Sequence, residues 1–161
     1  MAGHQHSENK PIQLGLCCLN TILRQQKAPV FASRSVILRT LREKGIYHLQ
    51  EKIIQNLQDV LTMMDWNEEN GIKVFRLSSE LFPHKSNAKA EKYSFDFAKE
   101  LLKQIGEKSK KLNQRLTFHP GQFNCIGSPN SDVIESTTRD LDYHASVLDL
   151  KNLGKHSTAK L

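Results

Sequence analysis

At 161 residues, with 38% hydrophobic and 25% charged positions, the chain has the make-up of one soluble globular domain, which excludes a disordered or fibrous protein. Lys and Arg outnumber Asp and Glu by 23 to 17, and the resulting charge of +6 favours an acidic partner such as nucleic acid. No apolar run is long enough to cross a bilayer and the first ten residues are polar with no signal-peptide core, so a soluble, intracellular protein without a membrane partner is expected.

Residues 1–10 read as a disordered tail whose His4 and His6 are too sparse for a metal tract. Ile12, Leu14, Leu16 and Cys18 then form a mostly apolar run ending at Asn20, the pattern of a first strand covered on both faces. Cys17 and Cys18 face opposite ways on such a strand and cannot form a zinc clip. With Cys125 they read as small packing residues in a reducing compartment. Residues 21–47 lack a clean period, contain Pro29, and carry Arg24, Lys27, Arg34, Arg39, Arg42 and Lys44. The reading is a long loop with room for a short helix near residues 36–42, its cations suited to phosphates or simply to solvent.

Residues 48–70 hold the clearest helix, with Ile53, Ile54, Leu57, Val60, Leu61 and Met64 at helical spacing and Asn70-Gly71 as the stop. Residues 72–77 form a second strand, and 78–87 leave its end as a polar loop. Residues 91–112 predict another helix, with Phe95, Ala98, Leu102 and Ile105 on one face. Residues 115–118 are the third strand, stopped by Pro120-Gly121 because Pro lacks the ladder donor. Asp132 and Glu135 have capping-box spacing and open a last helix lined by Ile134, Leu141, Ala145 and Leu148. His144 beside that stripe reads as a partly buried structural residue. The domain spans residues 11–153, and 154–161 form a polar tail.

Strand and helix alternate three times, a rhythm that demands a parallel sheet with helical crossovers. Functional loops of such folds collect at the C-terminal strand ends, where Asn20, the 78–87 loop and residues 119–124 all fall. His119, Gln122, Phe123 and Asn124 place one imidazole, two amides and an aromatic ring within six positions. By themselves they leave two readings open: His119 caps a strand while Phe123 packs inward, or His119 is a neutral metal ligand.

Three motifs, Leu14-Gly-Leu-Cys-Cys-Leu-Asn20, Phe75-Arg-Leu-Ser-Ser-Glu-Leu-Phe-Pro83, and Arg115-Leu-Thr-Phe-His-Pro-Gly-Gln-Phe-Asn124 with Gly127-Ser-Pro129, resemble the first three strand-and-loop motifs of the UV damage endonuclease family, in order and spacing. The resemblance implies an α/β fold of parallel βα repeats, the first three units of a TIM-type (β/α)8 barrel. It also implies metal-dependent incision of double-stranded DNA on the 5′ side of UV photoproducts and other lesions, in excision repair. His119 would be a ligand of divalent metal ions, Mn or Mg, with Zn as the alternative. Gln122 and Phe123 match the pair that probes the lesion, with Phe where many members carry Tyr. Asn20 matches a groove-lining Asn, and His84, Asn87 and Asn124 are further candidate DNA contacts. The protein would then be located wherever DNA is held, in cytoplasm or nucleus.

A full barrel takes eight βα units in about 250 residues, and the family's remaining metal ligands have no positions in this sequence. One imidazole cannot hold a polynuclear site, so the chain alone is not expected to cut DNA. Several explanations fit: the N-terminal part of a split or truncated gene, a half-barrel completed by a second polypeptide, or a non-catalytic DNA-binding module. Another metal-dependent barrel, such as a sugar isomerase or apurinic-site endonuclease, is the last. The basic loop and the Gln-Phe pair favour a polyanion, and paired sugar-binding carboxylates are missing, so the repair endonuclease ranks first. The open sheet edge predicts aggregation or a molten state unless a partner closes it.

Overall fold

Apolar side chains at alternate positions of short segments build a parallel sheet in the order β1, β2, β3, with β1 at Gly15–Cys17, β2 at Val74–Leu77 and β3 at Arg115–Phe118. The structure is a computed structural model and describes residues 12–150; the two expected tails, 1–10 and 154–161, lie outside the described residues. Leu16 pairs with Phe75 and Phe75 with Leu116, so one row of apolar side chains faces the helices. The neighbouring row, Cys17, Arg76 and Thr117, faces the other way.

The helices are α1 (Thr21–Arg24), α2 (Leu38–Glu69), α3 (Lys99–Lys111) and α4 (Ser131–Leu150). The expected 48–70 helix is the second part of α2, and the short helix expected near 36–42 is its first part. Gly45, at φ 78° and ψ 177°, separates them. Only glycine adopts that conformation readily, and a Cβ built there meets nothing within 4 Å. Gly45→Ala therefore isolates the backbone term: a loss of about 1–3 kcal/mol is expected in urea denaturation. An unchanged midpoint would show that the kink tolerates an ordinary residue.

The core lies between the sheet and the helices. Ile53, Leu57, Val60 and Met64 of α2, Leu102 and Ile105 of α3, and Val147 of α4 are fully buried against Phe75, Leu77 and Leu116. Each such side chain contributes about 1.5–3 kcal/mol relative to exposure. The N-terminal end of the sheet is stitched by polar contacts. Lys73 Nζ donates to both Glu68 carboxylate oxygens at 2.7 and 2.6 Å and to the Leu112 carbonyl at 3.2 Å, while Gln114 Nε2 donates to the Met64 carbonyl at 2.7 Å. That end is built for stability, which leaves chemistry to the opposite rim.

Several expectations are corrected. The first strand is shorter than residues 12–20 and is not covered on both faces: Leu14 is 67% exposed and Ile12 95%, because β1 is a sheet edge among the described residues. Cys17 and Cys125 are exposed and Cys18 is half-buried, so the cysteines are not core packing. The helix expected from residue 91 starts at Lys99. Before it a 3-10 turn, Asp96–Ala98, follows irregular chain in which Tyr93 and Phe95 pack sideways with Lys85 over their rings. α4 is capped by Asn130, whose Oδ1 accepts the Asp132 N–H at 2.9 Å, rather than by an Asp132 box. Its buried face is Thr137, Tyr143, His144 and Val147, and Ile134 is 40% exposed. Of the basic loop's cations, Arg34 is folded inward. It pairs with Asp59 at 2.6 Å, stacks on Phe31 at 4.1 Å and donates to the Phe31 carbonyl.

Candidate functional site

Parallel order brings the C-terminal ends of all three strands to one rim, where a cleft of about 400 Å³ opens. Cys18 lines it from β1, the run from Arg76 to Glu80 from β2, and the run from His119 to Phe123 from β3.

The ring of His119 is exposed, and its Nδ1 lies 2.6 Å from the Pro120 carbonyl oxygen. A carbonyl can only accept, so Nδ1 carries the proton in this contact and a neutral ring keeps its lone pair on Nε2. That tautomer can ligate a metal through Nε2. Gln122 is exposed, and Phe123 is 84% exposed, an unusual position for a large apolar ring. The expectation that Phe123 packs inward fails, because the turn at Pro120-Gly121 lifts the loop off the sheet.

The loop is nevertheless tied down behind its tip. Asp140 Oδ2 of α4 accepts from Asn124 Nδ2 at 2.5 Å and from the Gly121 N–H at 3.2 Å, and its Oδ1 accepts from Ser86 Oγ at 2.9 Å. The Cys125 N–H donates to Thr137 Oγ1 at 2.9 Å. Burial opposes ionisation of Asp140, but the bonds from Asn124, Gly121 and Ser86, with His144 nearby, prevail and hold its carboxyl below the usual range. Beneath lies an aromatic bed. His144 is 2% exposed, more deeply buried than expected, with its ring centroid 4.7 Å from that of Phe118 and 4.4 Å from that of Tyr143.

Among the expected site residues, then, the cleft collects His119, Gln122 and Phe123. The others do not line it. Asn20 is 2% exposed and caps α1, its Oδ1 accepting the Leu23 N–H at 3.0 Å. His84, at φ 62°, turns Nε2 toward the Val36 carbonyl at 2.5 Å. Asn87 Oδ1 accepts the Lys89 N–H at 2.9 Å, and Asn124 serves Asp140.

Two residues of the site were not foreseen. Arg76 reaches the cleft from β2, and its buried Nε has no hydrogen-bond partner among the described residues. A charged residue between Phe75 and Leu77 was a legible signal for it. Asp140, one of several acidic residues on a solvated-looking helix, carried none. Among the described residues no group of three or more His, Cys, Asp or Glu is placed to hold a metal ion. His119 offers one donor, and the described residues do not complete a metal centre around it.

Residues 12–161 match the family model described as UV-endonuclease UvdE. The chain belongs to the UV-endonuclease UvdE family. It is 40% identical over 151 residues to the UV-damage endonuclease of Schizosaccharomyces pombe, a match covering 91% of this chain and 25% of that protein. To the UV-damage endonuclease of Neurospora crassa it is 36% identical over 169 residues, covering 88% of this chain and 26% of the relative. The crystal structure of SacUVDE superposes with a TM-score of 0.78 at 27% identity, covering 88% of this chain and 46% of that one. The chain therefore spans about a quarter of the length of these two UvdE relatives and just under half of the solved one. The parallel βα repeats are the first three units of a TIM-barrel-like fold, as the resemblance implied. No helix among the described residues is long and apolar enough to cross a membrane.

Proposed function

We propose that the chain is the lesion-reading part of a UV-damage endonuclease, engaging damaged double-stranded DNA across the rim formed by the C-terminal strand ends. The observation that carries this reading is Phe123, 84% exposed beside Gln122 at the mouth of the cleft that His119 lines. An apolar ring held out in water costs free energy unless it enters something, and a base step already unstacked by damage is the cheapest place to enter. Gln122 supplies donors and acceptors to bases parted by the ring. Arg76 and the exposed cations Lys27, Arg39, Arg42 and Lys44 favour a polyanion.

In the complete barrel the reaction would be incision of the phosphodiester 5′ to the photoproduct, as the first step of excision repair. His119 would donate one imidazole to divalent metal ions, Mn or Mg with Zn as the alternative, whose role when bound is to activate water and stabilise the leaving oxygen. The described residues do not complete that centre, so the remaining donors would come from elsewhere, including a second polypeptide if one closes the barrel. On this reading the isolated chain binds and does not cut.

The test is fluorescence anisotropy of the purified chain at low salt, with one duplex bearing a single cyclobutane pyrimidine dimer and an intact duplex of the same sequence. Tighter binding to the damaged duplex is expected. Phe123→Ala should weaken that complex by about 5- to 150-fold, the worth of one stacked base (about 1–3 kcal/mol), and leave the intact complex nearly unchanged. Equal affinity for both duplexes would remove the proposal.

A further inference from the structure

We infer that Asp140 is a positioning residue that holds the Gln122-Phe123 tip in its probing attitude by clamping both ends of its loop to α4. The inference rests on the lesion-reading role proposed above and adds to it the part that makes the probe stiff. The carboxylate is 16% exposed and serves donors from two different strand-end loops. One oxygen takes the Gly121 N–H at 3.2 Å, just before the tip, and Asn124 Nδ2 at 2.5 Å, just after it. The other takes Ser86 Oγ at 2.9 Å from the loop beyond β2. The Asn124 N–H closes the turn on the Gly121 carbonyl at 3.1 Å. Gln122 and Phe123 are thus the exposed tip of a loop whose two feet share one ionised acceptor.

This arrangement has a physical purpose. A side chain that parts stacked bases works against a restoring force, and a floppy loop would surrender part of its binding free energy in ordering itself on each encounter. Bonds to a carboxylate are stronger than bonds between neutral groups, so a single Asp stiffens the loop more than a neutral acceptor would. The same residue fixes the spacing of the 78–87 and 119–124 loops, which face each other across the cleft.

Asp140→Asn removes the charge and replaces one carboxylate oxygen by an NH2 group, so the bonds from Gly121 and Asn124 become weaker bonds to a neutral acceptor and the Ser86 hydroxyl can no longer donate to it. Hydrogen exchange of the free full-length chain should show the Gly121 and Asn124 amides exchanging about tenfold or more faster, while the amides of α2 are unchanged. In the anisotropy assay the preference for damaged over intact duplex should fall about tenfold. The affinity for the intact duplex should stay nearly unchanged, whereas a merely structural loss would weaken both complexes alike. Should Asp140→Asn fail to fold, Asn124→Ala removes one bond from the loop side and carries the same two measurements. Unchanged exchange overturns the clamp, as does faster exchange with an undiminished preference for damage. If the wild-type chain shows no preference, the lesion reading fails, while the exchange result still decides whether the clamp exists.

Discussion

Phe82→Ala is expected to lower the free energy of unfolding by about 3–5 kcal/mol, seen as a lower urea midpoint at unchanged slope. Phe82 is 1% exposed and follows the 3-10 turn Ser79–Leu81 that leaves β2. Its ring meets Phe95 edge-on at 5.0 Å and Tyr143 at 6.2 Å. Its N–H donates to Tyr143 Oη at 3.2 Å, and that hydroxyl donates to the Ser79 carbonyl at 3.2 Å. Truncation opens a cavity where the turn, α4 and the chain before α3 meet, and rigid neighbours cannot fill it. Ser79 of the cleft wall is tied to Phe82 through the Tyr143 hydroxyl, so binding to damaged duplex should weaken alongside stability. Phe82→Leu keeps most of the volume and should cost about 1–2 kcal/mol. Equal midpoints for Phe82→Ala and wild type would mean that the ring does not support the turn.

Asn56→Leu should be comparably severe for a different reason. Asn56 is fully buried on α2, yet none of its side-chain hydrogen bonds is to its own helix. Its Oδ1 accepts the Arg34 N–H at 2.8 Å, and its Nδ2 donates to the carbonyls of Arg34 at 3.0 Å and Leu81 at 3.3 Å. One amide therefore pins the basic segment and the end of the β2 turn to the core. Leucine fills the space but strands the backbone groups that this amide served, each worth about 1–3 kcal/mol when buried without a partner, for a total of about 3–5 kcal/mol after partial relaxation. Arg34 would also lose its hold on Asp59 and Phe31. Trypsin should then cut the native chain faster at Lys27 and Arg34, while sites on α3 stay protected. A variant as stable as wild type with the same cleavage pattern would contradict the role given to Asn56.

The legible parts of the fold were those set by near neighbours in the chain. β3 falls at Arg115–Phe118 as read, since Pro120-Gly121 must end a strand whatever surrounds it. The second part of α2 follows from a stripe so regular that no other packing would bury it. The 91–98 segment misled because Phe95 and Ala98 have helical spacing, although Phe95 turns toward Phe82 and Lys85 from irregular chain. In α4 two stripes compete at similar spacing. The sheet selected the one with Tyr143 and His144, whose rings pack against Phe118, over the more apolar one with Ile134. Of the site, His119, Gln122 and Phe123 were legible because a strand end, a breaker and polar residues coincide within one short stretch.

By itself the sequence determined the βα alternation, the parallel sheet it requires, the rim at which loops gather, and the family whose motifs those loops carry. Tertiary structure alone decided that Asn20 and His84 spend their side chains on a helix cap and a loop carbonyl, and that Asp140 reaches two loops at once. Periodicity reports which face of an element avoids water, and it does so within one element. Which polar atom meets which depends on residues such as Ser86 and Asp140, far apart in the chain and brought to 2.9 Å only when the helices settle on the sheet.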